Sequence, residues 1–194
     1  MGAVVPENLA WSLTVPSVKE LAVQWPETLP RRYIRDDLDY STTTPSDPSS
    51  HVPLIDMAKL ANPESQEDEL HKLHSACKDW GVFQIINHGV TDESLNNMTK
   101  QLEEFFNLPL QEKKRWAQKP GSLEGYGQAF VVSEEQKLEW NDMIFLKTLP
   151  THERKLDFWP QHPPEFRKTL EIYSENMRQV SSLSVKVHGY GPWA

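Results

Sequence analysis

The sequence predicts an α+β protein, on three observations. Apolar residues recur at helical spacing in three segments: Leu70, Leu73, Cys77 and Trp80; Leu95, Met98, Leu102 and Phe105; and Phe166, Leu170, Tyr173, Met177 and Val180. Two short runs, "HVPLIDM" and "VFQIINHG", carry the β-branched and aromatic residues that suit strands. Proline- and glycine-rich stretches separate these segments, as connecting loops do.

Taken in order, Ser17 and Glu20 form a capping-box pair at the head of a short helix carrying Val18, Leu21 and Ala22, which Trp25 and Pro26 end. "STTTPSDPSS" (Ser41 to Ser50) has no apolar residue and reads as an exposed loop. Pro53 stands near the start of the first strand, where a strand tolerates proline. The helix from Glu64 to Trp80 stops at Gly81. The run Val82, Phe83, Ile85, Ile86 is apolar on both faces, predicting a strand buried on two sides. Thr91 caps the next helix, with Asp92 and Glu93 in the first turn where the macrodipole favours acids. Pro109 opens the short basic helix "PLQEKKRW". "PGSLEGYGQAF" reads as a loop, "EWNDMIFLKT" as a strand and "LPTHERKLDFWPQHPP" as a proline-bounded loop. The last helix starts near Pro164. After Val180 its period gives way to alternation in twos, then to glycine and proline, in "SSLSVKVHGYGPWA".

Composition narrows the function. A formal charge of −8 disfavours nucleic acid and anionic membrane, which both reward basic surfaces. Cys77 is the only cysteine, so no internal disulfide forms. No apolar run approaches a membrane span, and the first ten residues lack signal-peptide character. Gly2 begins a myristoylation pattern that Pro6 breaks. A soluble, cytoplasmic protein is expected.

Seven histidines invite a metal hypothesis. A strand-borne iron site of two histidines and one carboxylate needs His-x-Asp/Glu, because residues two apart share a face. His51, His71, His74, His88, His152, His162 and His188 all lack an acid two positions on. His152-Glu153 begins the helical zinc-protease pattern, but Leu156 replaces its second histidine. His71 and His74 could share a metal with Glu67 or Asp68, although a polar helix face accounts for them. Cys77 has no thiol neighbour and reads as a small buried hydrophobe rather than a nucleophile. His88, in "NHG", sits where Asn and Gly accept turn dihedrals, so it is expected to bond backbone and close the turn. "LEGYGQAF" fits neither phosphate-binding glycine pattern and reads as a tight turn. No G-x-S-x-G elbow occurs.

Several long motifs in order carry a resemblance: "VPLIDMAKL", "ACKDWGVFQIINHGV", "FFNLPLQEKKRWAQKPGSLEGYGQAFVVSEEQKLEWNDMIFLKTLP" and "WPQHPPEFRKTLEIYSENM". The stretch from about Val15 to Val180 resembles the N-terminal region of plant 2-oxoglutarate- and iron(II)-dependent dioxygenases. The branch is the one holding alkaloid O-demethylases, norcoclaurine-synthase-like proteins and senescence-related relatives. The resemblance implies a helical wrap plus the first strands of a double-stranded β-helix (jelly roll), here incomplete. It divides the chain into an N-terminal helix and exposed loop (1–50), the dioxygenase N-terminal region (51–180) and a divergent tail (181–194). It also implies Fe(II) and 2-oxoglutarate as cofactors of the full-length family, small molecules as its substrates, and Met143 and Phe145, two apart on one strand face, as a wall of the substrate cavity.

The departures matter as much. The family's His-x-Asp…His triad is missing, and so is its Arg-x-Ser: Arg31, Arg32, Arg35, Arg115, Arg154, Arg167 and Arg178 all lack a serine two positions on. No catalytic, metal or cofactor residue carries over, and no cofactor is expected for this chain. The tail after Ser181 reads as an altered frame, retained intron or misjoined gene model. Three functions follow: a non-catalytic dioxygenase fragment; an oxidoreductase of specialised metabolism if the missing half is supplied; or an interaction protein pairing with full-length relatives through exposed strands. Unpaired strands and a bare sheet face predict weak folding in isolation. Several hundred Å² of unburied apolar surface at about 25 cal/mol per Å² forfeits on the order of 10 kcal/mol, comparable to a domain's whole stability.

Overall fold

A computed structural model of the 194-residue chain describes residues 12–24, 27–36, 51–119, 122–128 and 131–189. Trp25, Pro26 and the Ser41–Ser50 stretch lie outside these. In chain order the elements are α1 (Val18–Gln24), β1 (Leu54–Asp56), α2 (Met57–Ala61), α3 (Gln66–Ser75), β2 (Gln84–Ile86), α4 (Asp92–Asn107), α5 (Leu110–Lys114), β3 (Gly125–Tyr126), β4 (Ile144–Phe145) and α6 (Phe166–Gly189). The predicted α+β class holds: helices and short strands, with no closed sheet among the described residues. No described helix is long and apolar enough to cross a membrane. The chain divides into two compact units, Met1–Tyr40 with Thr99–Leu170, and Ser41–Met98 with Glu171–Ala194.

In the second unit, β1 and β2 pair in parallel, Ile55 opposite Ile85. Side chains alternate across a strand, so Ile55 and Ile85 turn inward together and meet Met57, Leu60, Leu73, Ala76, Leu70, Phe83 and Val180. Among the described residues the other face stays partly exposed: Val52, Leu54, Val82 and Ile86 are 39%, 49%, 55% and 38% exposed. The expected burial of β2 on two sides is therefore corrected. A two-stranded sheet has one apolar cluster to lie on, and here α2, α3 and α6 supply it.

A second correction concerns α3. Its face was expected to pass through Leu73, Cys77 and Trp80. Instead a π turn, Ala76–Trp80, follows Ser75, closed by the Gly81 N–H donating to the Ala76 carbonyl at 3.0 Å. The buried position falls on Ala76, three residues after Leu73, while Cys77 and Trp80, within the π turn, are exposed. Gly81 accepts the left-handed φ of +69° that ends the turn.

In the first unit, Val18, Tyr33, Val131 and Leu138 form a core with Leu13, Val15 and Leu21 packed on it. Around Phe105 lies an aromatic cluster, with ring centroids 5.3 Å from Phe106, 5.9 Å from Tyr126 and 5.5 Å from Phe166. The strand expected over "EWNDMIFLKT" reduces to Ile144–Phe145, which pair in antiparallel register with Gly125–Tyr126, a strand within the stretch expected to be a tight turn. The proline-bounded loop contains two 3-10 turns, Thr151–Glu153 and Leu156–Phe158, and buries Trp159 completely. Arg167 holds that loop down, donating to the carbonyls of Leu156 (3.0 Å) and Trp159 (2.6 Å).

The last helix does not end where its periodicity does. α6 continues from Val180 to Gly189. Extending an existing helix adds one hydrogen bond per residue without a new nucleation cost, and "SSLSVKVH" holds neither glycine nor proline to stop it.

Candidate functional site

Two residue groups bear on function, one in each unit. The first surrounds the β3–β4 hairpin. Gly125 and Gly127 adopt φ of +121° and +137°. Gly125 lies against the backbone of the chain leaving α5, where an added Cβ would sit 2.7 Å from the Gln118 nitrogen and 2.8 Å from the Trp116 oxygen. Tyr126 and Trp116 are tied across this contact by a 2.7 Å bond from the Tyr126 N–H to the Trp116 carbonyl. Opposite Gly125 stands Phe145, 40% exposed. Met143, half-buried, offers its carbonyl to the Gly127 N–H at 3.0 Å. The two residues assigned to a substrate wall are thus on or beside one short strand, and neither lines the cavity that adjoins the hairpin.

Asp142, just before β4, has a role the sequence did not announce. Its Oδ1 accepts from the Val18 N–H at 2.9 Å; its Oδ2 accepts from the Ser17 hydroxyl at 2.6 Å and the Lys19 N–H at 3.3 Å. The Ser17 hydroxyl still accepts from the Glu20 N–H, at 3.4 Å, so the capping box survives as a minor part of a cap supplied 124 residues away. A carboxylate at a helix start suits the macrodipole. At the other pole, the Phe106 carbonyl in the last turn of α4 accepts from both Lys19 (3.0 Å) and Lys113 (3.1 Å). Lys113 is fully buried, with Nζ 5.5 Å from the Tyr126 ring centroid. Burial pushes its ammonium pKa down, the Lys19 charge adds to this, and the Asp142 and Glu20 charges oppose it.

The second group fixes the turn after β2. The Asp56 carboxylate caps α2 through the N–H groups of Ala58 (3.0 Å) and Lys59 (3.3 Å). It also accepts from the Asn87 amide at 2.9 Å. Asn87 has the positive φ, +53°, that asparagine tolerates. Beside it His88 Nδ1 accepts from the Val90 N–H at 3.1 Å, the turn-closing bond expected of it. Glu69, 2% exposed, accepts from the Asp56 N–H (2.8 Å) and from Lys72 Nζ (3.0 Å). Burial acts to raise the Glu69 pKa, but those two bonds and the Lys72 and Lys59 charges outweigh it and hold the carboxyl below its ordinary value.

This fixes the sign of a pH dependence. A depressed folded-state pKa contributes stability that is complete above the unfolded value, about 4.3 for glutamate, and is lost as pH falls through the folded value. We expect the melting temperature of the chain to fall on acidification below about pH 4.3, with a shallower fall in Glu69→Gln. Parallel melts from pH 7 to pH 3 check this; identical slopes would remove Glu69 from the acid response.

The test for iron fails on the donor set. Among the described residues, no three His, Cys, Asp or Glu side chains gather as a metal would require. His71 is exposed and His74 half-buried, on the helix face turned away from Leu73. The described residues therefore offer no donor set that fits an iron site.

Comparison with known proteins places this architecture. The family model for "non-haem dioxygenase in morphine synthesis N-terminal" matches residues 52–165. S-norcoclaurine synthase 1 of Coptis japonica is 48% identical over 170 residues, covering 88% of this chain and 48% of that protein. The oxoglutarate-dependent flavonoid 7-O-demethylase 1 of Ocimum basilicum is 45% identical over 179 residues, covering 92% and 47%. A crystal structure of JOX2 in complex with 2OG, Fe and JA superposes with a TM-score of 0.72 at 31% identity, covering 88% of this chain and 47% of that one. The chain belongs to the plant 2-oxoglutarate-dependent dioxygenase family, in its N-terminal region. It spans about half the length of the curated relatives it matches.

Proposed function

We propose that this chain is the N-terminal half of a plant 2-oxoglutarate- and iron(II)-dependent dioxygenase and has no turnover of its own. The observation that carries this reading is the ligand count. All seven histidines lack an acid two positions on and all seven arginines lack a serine two positions on, so the sequence holds neither the family's iron triad nor its co-substrate clamp. Hydroxylation or O-demethylation of a small molecule belongs to the assembled family enzyme, whose Fe(II) and 2-oxoglutarate we assign to the half not represented here. In that enzyme Met143 and Phe145 would form one wall of the substrate cavity, and the setting we assign is the cytoplasm. The test is succinate release by the purified chain given Fe(II), ascorbate, 2-oxoglutarate and oxygen. We expect none above the protein-free background; sustained succinate formation overturns the reading.

The exposed row of Val52, Leu54, Val82 and Ile86 favours a second reading, association with a full-length relative. An apolar sheet face of this kind is uncommon on a stable monomer. Sizing chromatography of the chain with such a relative is expected to show co-elution; unchanged separate peaks count against pairing.

A further inference from the structure

We propose that the turn leaving β2, residues 87–90, is a proton-operated latch: it is closed by neutral His88 and opens when that imidazole takes up a proton. The latch is the bond from the Val90 N–H to His88 Nδ1, 3.1 Å long. A backbone N–H only donates, so Nδ1 holds this bond through its lone pair and the ring proton sits on Nε2. Protonation puts a hydrogen on Nδ1 as well, both ring nitrogens become donors, and Val90 loses its acceptor. Imidazole is the side-chain group that ordinarily changes charge between pH 5 and 8.

One end of the turn is fixed and the other is free to move. At its first residue, Asn87 is tied to the Asp56 carboxylate at 2.9 Å. Burial acts to raise the Asp56 pKa, but the bonds from Asn87, Lys59 and Ala58 and the Lys59 charge outweigh it and hold the carboxyl below its ordinary value. That tie therefore stays ionised while an imidazole changes charge. Between it and Val90 lies Gly89, at a φ of +78°, where a Cβ would meet nothing within 4 Å among the described residues. The backbone there has both the conformational freedom and the space to rearrange.

The charged groups bordering the turn are Asp56 and Lys59, where β1 meets α2, and Asp92 and Glu93 in the first turn of α4. Opening leaves the β1–β2 pairing and the cluster around Ile55 and Ile85 in place, since His88 belongs to neither. All of these residues lie in the second unit, and none has a part in the proposed function.

An NMR titration of the full chain from pH 8 to pH 5 is the test. The Val90 amide resonance is expected to move from its bonded to its free position in step with the His88 ring, while the Ile55 and Ile85 methyl resonances stay still. His88→Asn is the non-titrating control, because an asparagine side chain accepts from the amide two residues on. It is expected to keep Val90 bonded throughout. At pH 5 the Val90 amide of the native chain is expected to exchange about five- to tenfold faster than in His88→Asn, the effect of one hydrogen bond. A Val90 resonance that does not follow the His88 ring overturns the proposal. So does movement of Val90 together with the core methyls, which would mean general unfolding, or the same pH response in His88→Asn. Should His88→Asn not fold, the native titration alone decides between these outcomes.

Discussion

Gly125→Ala is expected to destabilise the first unit by about 2–6 kcal/mol, combining a strained φ (about 1–3) with overpacking (about 1–3). The φ of +121° lies where residues with a Cβ are rarely found, and the added carbon would lie 2.7–2.8 Å from the backbone of Trp116, Ala117 and Gln118. Backbone cannot swing aside as a side chain can. Gly127→Ala is the internal comparison: its φ is +137°, but the nearest atom is the flexible Gln118 Oε1 at 3.5 Å. It should show only the conformational part, about 1–3 kcal/mol. Urea midpoints for both variants decide the matter. Equal losses would mean the close approach to the chain leaving α5 contributes nothing.

Phe105→Ala is expected to cost about 3–5 kcal/mol, the range for emptying a buried aromatic position. Phe105 is fully buried, and its ring touches Phe106, Tyr126 and Phe166, which lie on three separate elements. Loss of the ring therefore loosens α4, the β3–β4 hairpin and the head of α6 together. Against a typical net stability of about 5–15 kcal/mol, this is enough to populate unfolded chain at room temperature. Phe105→Leu keeps most of the volume and should recover much of the loss. A Phe105→Ala midpoint within experimental error of the native value would contradict the packing described.

Residues with a period were legible in the sequence; residues with a distant partner were not. Leu95, Met98 and Phe105 marked the buried stripe of α4, and Thr91 marked its start, because a helix writes its contacts at fixed intervals. Ser17 marked α1 for the same reason, but the carboxylate that caps it belongs to Asp142, and no local pattern connects the two. Glu69 and Lys113 look like surface charges in the sequence. Each is buried because another element supplies a backbone group to bond: the Asp56 N–H, 13 residues before Glu69, and the Phe106 carbonyl, 7 residues before Lys113, neither at a spacing that marks burial in the sequence. In sequence the hairpin looks like a turn followed by a long strand because Gly125 and Gly127 signal bends, whereas the contact that makes Gly125–Tyr126 a strand lies 18 residues and more downstream. For the candidate site, Met143 and Phe145 came from family resemblance alone, while the cavity beside Tyr126 had no signal in spacing or composition.

The π turn at Ala76–Trp80 has a practical outcome. Cys77, its second residue, is exposed, so the chain's single thiol is reachable from solvent. A maleimide dye would attach at one known point without a prior mutation to strip other sulfurs. Placed just past the end of α3, such a fluorophore would report on changes around the π turn itself.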